Sequence, residues 1–125
     1  MDISTDVLKE KMRIGGKKVD GDLGEISVFN PYDNSVSGTV PRASSDQVDR
    51  AFMIANNYKS KLTRYERQTI LQTTAEILVK RKDEISDLIT SESGLSKKDS
   101  LYEVGRAFDV FTLTGQLCIL DDGEI

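Results

Sequence analysis

The sequence has no histidine, no tryptophan, one cysteine and two prolines. Without histidine there is no imidazole base for work near neutral pH and no histidine metal ligand. A single cysteine excludes an intrachain disulfide framework and fits a reducing compartment. No apolar run approaches the roughly 18 residues that a spanning helix needs. The opening MDISTDVLKEKM is too polar for a secretory signal. These absences lead us to expect a cytoplasmic protein with no membrane partner. An excess of positive charge is lacking too. Lys and Arg total 17 against 21 Asp and Glu, which argues against a nucleic-acid partner. Basic residues cluster at Lys9–Lys18 and Lys80–Lys82, but acidic and apolar residues interrupt them, so both read as solvated faces. Neither GxGxxG nor a GxxxxGK motif occurs. Gly21-Asp22-Leu23-Gly24 is too short to cradle phosphates and reads as a loop. The pairs Asp83/Glu84 and Asp121/Asp122 are sequence neighbours and read as solvated charge.

What is present divides into two patterns within 125 residues, a length that suits one domain or part of a larger one. Residues 1–12 read as a helical turn or frayed arm, with Val7, Leu8 and Met12 as a short apolar face. Residues 13–40 read as β hairpins. Ile14 and Val19 flank a tight turn at Gly15-Gly16-Lys17. Ile26 and Val28 alternate with Ser27, Asn30 to Asn34 form a turn cluster, and Val36 to Val40 return. Helices are expected over 44–60, 64–92 and 97–119. Ser44/Gln47 and Thr63/Glu66 have capping-box spacing, and Ser96/Asp99 is a carboxylate variant of it. Gly94 suits the position just past a helix end. The second helix carries a wide stripe through Leu71, Ala75, Leu78, Ile85 and Ile89, which implies burial against more than one neighbour. The last carries Val104, Phe108, Phe111, Gly115 and Cys118 in one line. Asp121-Asp122-Gly123 reads as a turn. The expected architecture is a small antiparallel hairpin sheet followed by three long helices.

Three residues invite a chemical reading. Arg106 lies among Val104, Ala107 and Phe108, and an arginine near an apolar stripe needs water or an anion. It reads either as a snorkelling surface arginine or as an anion contact. Cys118 falls on the apolar line, far from its helix N-terminus and with no histidine base, so it reads as a small buried hydrophobe. Glu92 precedes Gly94 and reads as bracing or exposed. Nothing in this inventory forms a complete active site.

In order and spacing, these pieces resemble the N-terminal region of the NAD(P)-dependent aldehyde dehydrogenase superfamily, from about Met12 onward. The residues that carry the likeness are Phe29-Asn30-Pro31, then Ser45-Asp46-Gln47-Val48-Asp49-Arg50-Ala51, then Tyr65-Glu66-Arg67-Gln68-Thr69-Ile70-Leu71, Glu92-Ser93-Gly94 and Glu103-Val104. Many members carry a tryptophan before the second of these helices, and this chain has none. The stretch from Glu92 to Gly123 is most similar to phosphonoacetaldehyde dehydrogenases. The resemblance implies an α/β parent and makes residues 1–125 the N-terminal part of its cofactor-binding domain, without the catalytic and oligomerisation domains. It implies oxidation of a small anionic aldehyde, with Arg106 facing the substrate. It implies NAD or NADP in the intact enzyme, not expected to bind these residues alone, and a homodimer or homotetramer. Catalytic cysteine, glutamate and asparagine belong downstream, and these 125 residues are expected to be inactive alone. Glyceraldehyde 3-phosphate and succinate semialdehyde are alternative substrates, and a non-catalytic helical interaction module is an alternative of another class. Phe111 to Cys118 is similar to the family's catalytic-cysteine signature, F-x-x-x-G-Q-x-C. It departs at Ile119-Leu120 and stands too early, so the nucleophile is not assigned to Cys118. Some members hold a monovalent cation at positions that correspond to Val28, Phe29 and Glu92.

Overall fold

The computed structural model describes residues 7–120. The expected turn at Asp121-Asp122-Gly123, and residues 1–6 of the expected N-terminal arm, lie outside them. The chain divides into two compact units, Met1–Lys59 and Ser60–Ile125.

The first unit contains β1 (Leu8–Lys9), β2 (Met12–Ile14), β3 (Lys17–Val19), β4 (Glu25–Phe29), β5 (Val36–Pro41) and α1 (Ser45–Asn57). The β2–β3 hairpin turns through Gly15 and Gly16, both at positive φ (58° and 79°). Such a turn matches the twist of its two strands. β4 and β5 pair antiparallel with a register shift between Val28 and Phe29. Three expectations change here. Residues 8–9 are not helical: they form a parallel edge strand on β5, with Leu8 opposite Gly38. The sheet β1-β5-β4 is therefore mixed, not purely antiparallel. Gly38 permits this pairing, because a Cβ there would stand 3.0 Å from the Leu8 carbonyl oxygen. α1 stops at Asn57 instead of residue 60. Tyr58 turns extended (φ −70°, ψ 127°) while its N–H donates to the Ala55 carbonyl.

The first helix begins as its capping box requires. The Gln47 backbone N–H donates to Ser44 Oγ, and the Ser44 N–H donates to Gln47 Oε1. Gln47 also accepts from the Asp22 N–H at 3.0 Å and donates to the Asp20 carbonyl at 2.9 Å. One side chain thus fastens the 20–24 loop to the helix start.

The second unit contains α2 (Arg64–Lys80), α3 (Lys82–Ser93) and α4 (Lys97–Leu117). The single helix expected over 64–92 is two helices. Arg81 leaves the helical region (φ −105°, ψ 16°). Its Nε donates to Glu84 Oε2 at 2.8 Å, one turn into α3. The break redirects α3 onto α4: Ser86 Oγ and Ser100 Oγ meet at 2.7 Å, both fully buried. Thr90 Oγ1 is 3.1 Å from Ser100 Oγ, whose hydroxyl also lies 3.1 Å from the Lys97 carbonyl. α3 ends on Gly94, at φ 74°, whose N–H donates to the Thr90 carbonyl. α4 ends at Leu117, not 119, with the Cys118 N–H donating to Thr114 and Gly115 carbonyls.

At Ser96 the capping is one-sided. The Asp99 N–H donates to Ser96 Oγ at 3.2 Å, while the Asp99 carboxylate takes the Ser96 hydroxyl, not its backbone N–H. Aspartate is one methylene shorter than the glutamate that closes the Thr63/Glu66 box, where the Thr63 N–H donates to Glu66 at 2.7 Å. Gly115 is buried against α2; a Cβ there would lie 3.5 Å from Leu71 Cβ. Among the described residues only Ala75 and Val104 are buried apolar side chains.

Candidate functional site on the fourth helix

α4 has two faces. Ser100, Val104 and Gly115 are buried, and Ala107, Phe108, Phe111 and Cys118 are half-buried. This confirms the line of Val104, Phe108, Phe111, Gly115 and Cys118 expected from spacing. The opposite face holds Tyr102, Arg106, Val110, Leu113 and Leu117, at steps of four, four, three and four. At 100° per residue these five fall within roughly 80° of one another. The four uncharged members are exposed, from 59% at Leu113 to 68% at Tyr102. Arg106 is therefore one cation set in an uncovered apolar stripe.

That setting is chemically specific. An exposed apolar stripe on a helix marks a surface that something else covers. A guanidinium covered with it keeps its charge and needs an anion. Its planar fork suits a carboxylate or a phosphonate through two parallel charge-assisted hydrogen bonds. Arg106 Nη1 lies 3.3 Å from Glu103 Oε1, with the arginine side chain 63% exposed. The stripe was readable in principle from the i, i+4 recurrence of residues 102, 106 and 110. The apolar line on the buried face, with better spacing, masked it.

The remaining candidates stand apart. Cys118 caps α4 and borders an open cavity of about 380 Å³ that Arg64, Arg67, Thr114, Leu117 and Leu120 also line. None of those neighbours is a base that could take a thiol proton. Glu92 is exposed near the end of α3 in the second unit, while Val28 and Phe29 lie on β4 in the first. The register shift beside Phe29 loosens the ladder there, and main-chain oxygens are of the type a hard monovalent cation takes. Among the described residues no three His, Cys, Asp or Glu side chains group as metal ligands. Lys82 of the basic cluster Lys80–Lys82 lines a cavity of about 150 Å³ with Val79, Leu101, Val104, Gly105 and Phe108; Glu84 is engaged by Arg81, which holds its carboxyl below the ordinary value.

The sequence holds no GxGxxG turn for a dinucleotide. Its usual seat is a strand, a glycine-rich turn and an open helix N-terminus. Here the N-termini of α1, α2 and α4 are closed by their own Ser44, Thr63 and Ser96 side chains, while α3 has no side-chain cap and follows α2 directly at Arg81. No helix among the described residues is long and apolar enough to cross a membrane.

Residues 18–125 match the Aldehyde dehydrogenase family. Lactaldehyde dehydrogenase from Methanococcus aeolicus is 33% identical over 112 residues, covering 81% of this chain and 24% of the relative. Malonate-semialdehyde dehydrogenase from Bacillus cytotoxicus is 32% identical over 115 residues, covering 89% of this chain and 24% of the relative. Aldehyde dehydrogenase 21 from Physcomitrella patens, solved in complex with the reaction product succinate, superposes with a TM-score of 0.81 at 31% identity. That match covers 90% of this chain and 24% of the moss protein. The chain thus spans about a quarter of the length of these relatives.

Proposed function

The chain belongs to the aldehyde dehydrogenase family, and on that premise we propose that it forms the substrate-side helical wall of an NAD(P)-dependent enzyme. That enzyme oxidises a small anionic aldehyde to its carboxylate. The observation that carries this reading is Arg106 standing alone in the exposed apolar stripe of α4. The stripe is covered by the rest of the enzyme, and the guanidinium grips the anionic end of the substrate. Its grip orients the aldehyde and leaves the carbonyl free for attack. The catalytic cysteine, glutamate and asparagine, and the seat of NAD or NADP, belong to other parts of the enzyme. The domain assignment, residues 1–125 as the N-terminal part of the cofactor-binding domain, is part of this proposal. So are a cytoplasmic location and a homodimeric or homotetrameric assembly.

Phosphonoacetaldehyde is the substrate suggested by the likeness of residues 92–123 to dehydrogenases of that aldehyde. Glyceraldehyde 3-phosphate and succinate semialdehyde offer comparable anions. The test is Arg106→Ala in a complete dehydrogenase carrying these 125 residues. Loss of a charge-assisted pair costs about 1.5–3 kcal/mol. The variant is expected to cut kcat/KM for the anionic aldehyde by on the order of 10- to 100-fold, mostly through KM. A neutral aldehyde of equal length should lose far less. Equal losses on both would refute the assignment. The exposed stripe also supports a second reading, a non-catalytic helical interaction module. That reading requires a complete protein with no aldehyde-dependent NAD(P) reduction at all.

A further inference from the structure

Arg106 is not a free cation on its stripe. Nη1 is held by Glu103 Oε1 at 3.3 Å, one turn earlier on α4. Asp109 occupies the i+3 position on the other side of the arginine. At 3.6 residues per turn these two carboxylates flank Arg106 by about 60° each way around the helix. Tyr102, Val110, Leu113 and Leu117, its companions on the stripe, carry no cation. The next cation on α4, Lys98, lies about two turns nearer the N-terminus. Around Arg106 this face presents one positive charge between two negative ones, and Asp99, about two turns earlier on the same stripe, adds a third carboxylate, which accepts from the Ser96 hydroxyl.

We infer that Glu103 is a specificity-determining residue, which limits the anion accepted at Arg106 to a single negative charge. This rests on Arg106 being the substrate contact. With Nη1 engaged by Glu103, the guanidinium keeps its other donors for a second acceptor. A carboxylate, a sulfonate or a phosphonate monoester fills that place with one charge and leaves the Glu103 pair intact. A phosphonate dianion brings a second charge into a covered site of lowered dielectric, with Glu103 and Asp109 adding negative charge one turn away on either side. It must displace Glu103 from the guanidinium or meet it as a like charge. The enzyme is therefore expected to favour monoanionic semialdehydes over dianionic phosphonates, which narrows the substrate class within the proposed function.

The experiment compares phosphonoacetaldehyde with its monomethyl ester, which differ chiefly by one charge, above the second ionisation of the phosphonate. The complete dehydrogenase is assayed as wild type, Glu103→Gln and Arg106→Ala. Wild type should turn over the monoester with the higher kcat/KM. Glu103→Gln should raise kcat/KM for the dianion about three- to tenfold relative to the monoester, the range of one nearby charge partly screened by solvent. A ratio that stays put in Glu103→Gln, or moves against the dianion, overturns the role of Glu103. Arg106→Ala should lower kcat/KM on both anions. If it lowers neither, the reading of Arg106 itself falls, and that failure is told apart from failure of the Glu103 inference alone.

Discussion

At Gly21 there is no room for a side chain. A Cβ there would stand 2.3 Å from the Arg42 carbonyl oxygen and 2.6 Å from its nitrogen. Both are backbone atoms, held because the Arg42 N–H donates to the Gly24 carbonyl and the Leu23 N–H to the Arg42 carbonyl. A flexible neighbour could yield, but a paired backbone cannot without breaking those bonds. Gly21→Ala should therefore destabilise the first unit by about 2 kcal/mol or more. Urea unfolding followed by circular dichroism would show it, and an unchanged midpoint would contradict the close approach. This constraint was not legible in the sequence. There Gly21 looks like one of two loop glycines, and only the return of Arg42, 21 residues later, closes the space. The Ser86–Ser100 contact was hidden for the same reason. Two serines in separate helices carry no local sign that they meet. Arg106 was legible as a residue out of keeping with its apolar neighbours, but its partner Glu103 was not singled out as one.

Helix ends were the most legible elements, because capping is a local matter of three or four residues. Ser44/Gln47 and Thr63/Glu66 close as their spacing dictates, and Gly94 adopts the left-handed conformation expected past a helix end. The break at Arg81 was not legible. No proline or glycine marks it, and its cause is tertiary: α3 must turn to bring Ser86 onto α4. The second capping box carries a testable pH effect. The Thr63 N–H, and then its hydroxyl, hold the Glu66 carboxyl below its ordinary value of 4.5. A carboxyl depressed in the folded state adds stability that is fully present above its unfolded value. That stability is lost as pH falls through the lower, folded value. Glu66→Gln keeps an acceptor for the Thr63 N–H but does not titrate. Its acid-unfolding limb below about pH 4.5 should be shallower than that of wild type, with Asp33 and Glu84 still titrating in both. Superimposable limbs, followed by the helical circular-dichroism signal, would contradict a functioning carboxylate cap.

Among the described residues, full burial of apolar side chains is sparse. Val104 and Ala75 are buried, yet Ile70, Ile77, Val79 and Leu113 are each 45% exposed or more. The stripe foreseen on residues 64–92 is covered along its centre, where Ala75 is buried and Leu71, Leu78, Ile85 and Ile89 are half-buried, while Ile70 and Ile77 at its margin stay exposed. The family and its fold were legible from the ordered set of short motifs. The substrate was not, since an arginine in a sequence does not show that Glu103 shares its guanidinium. On the proposed function this chain holds the substrate, and the chemistry lies elsewhere in the enzyme. The most direct test is nicotinamide reduction by the purified 125-residue chain, its helices verified by circular dichroism. It is given NAD or NADP with phosphonoacetaldehyde or succinate semialdehyde. We predict a rate equal to that without protein; saturable, aldehyde-dependent reduction that is lost in Cys118→Ser would contradict the account.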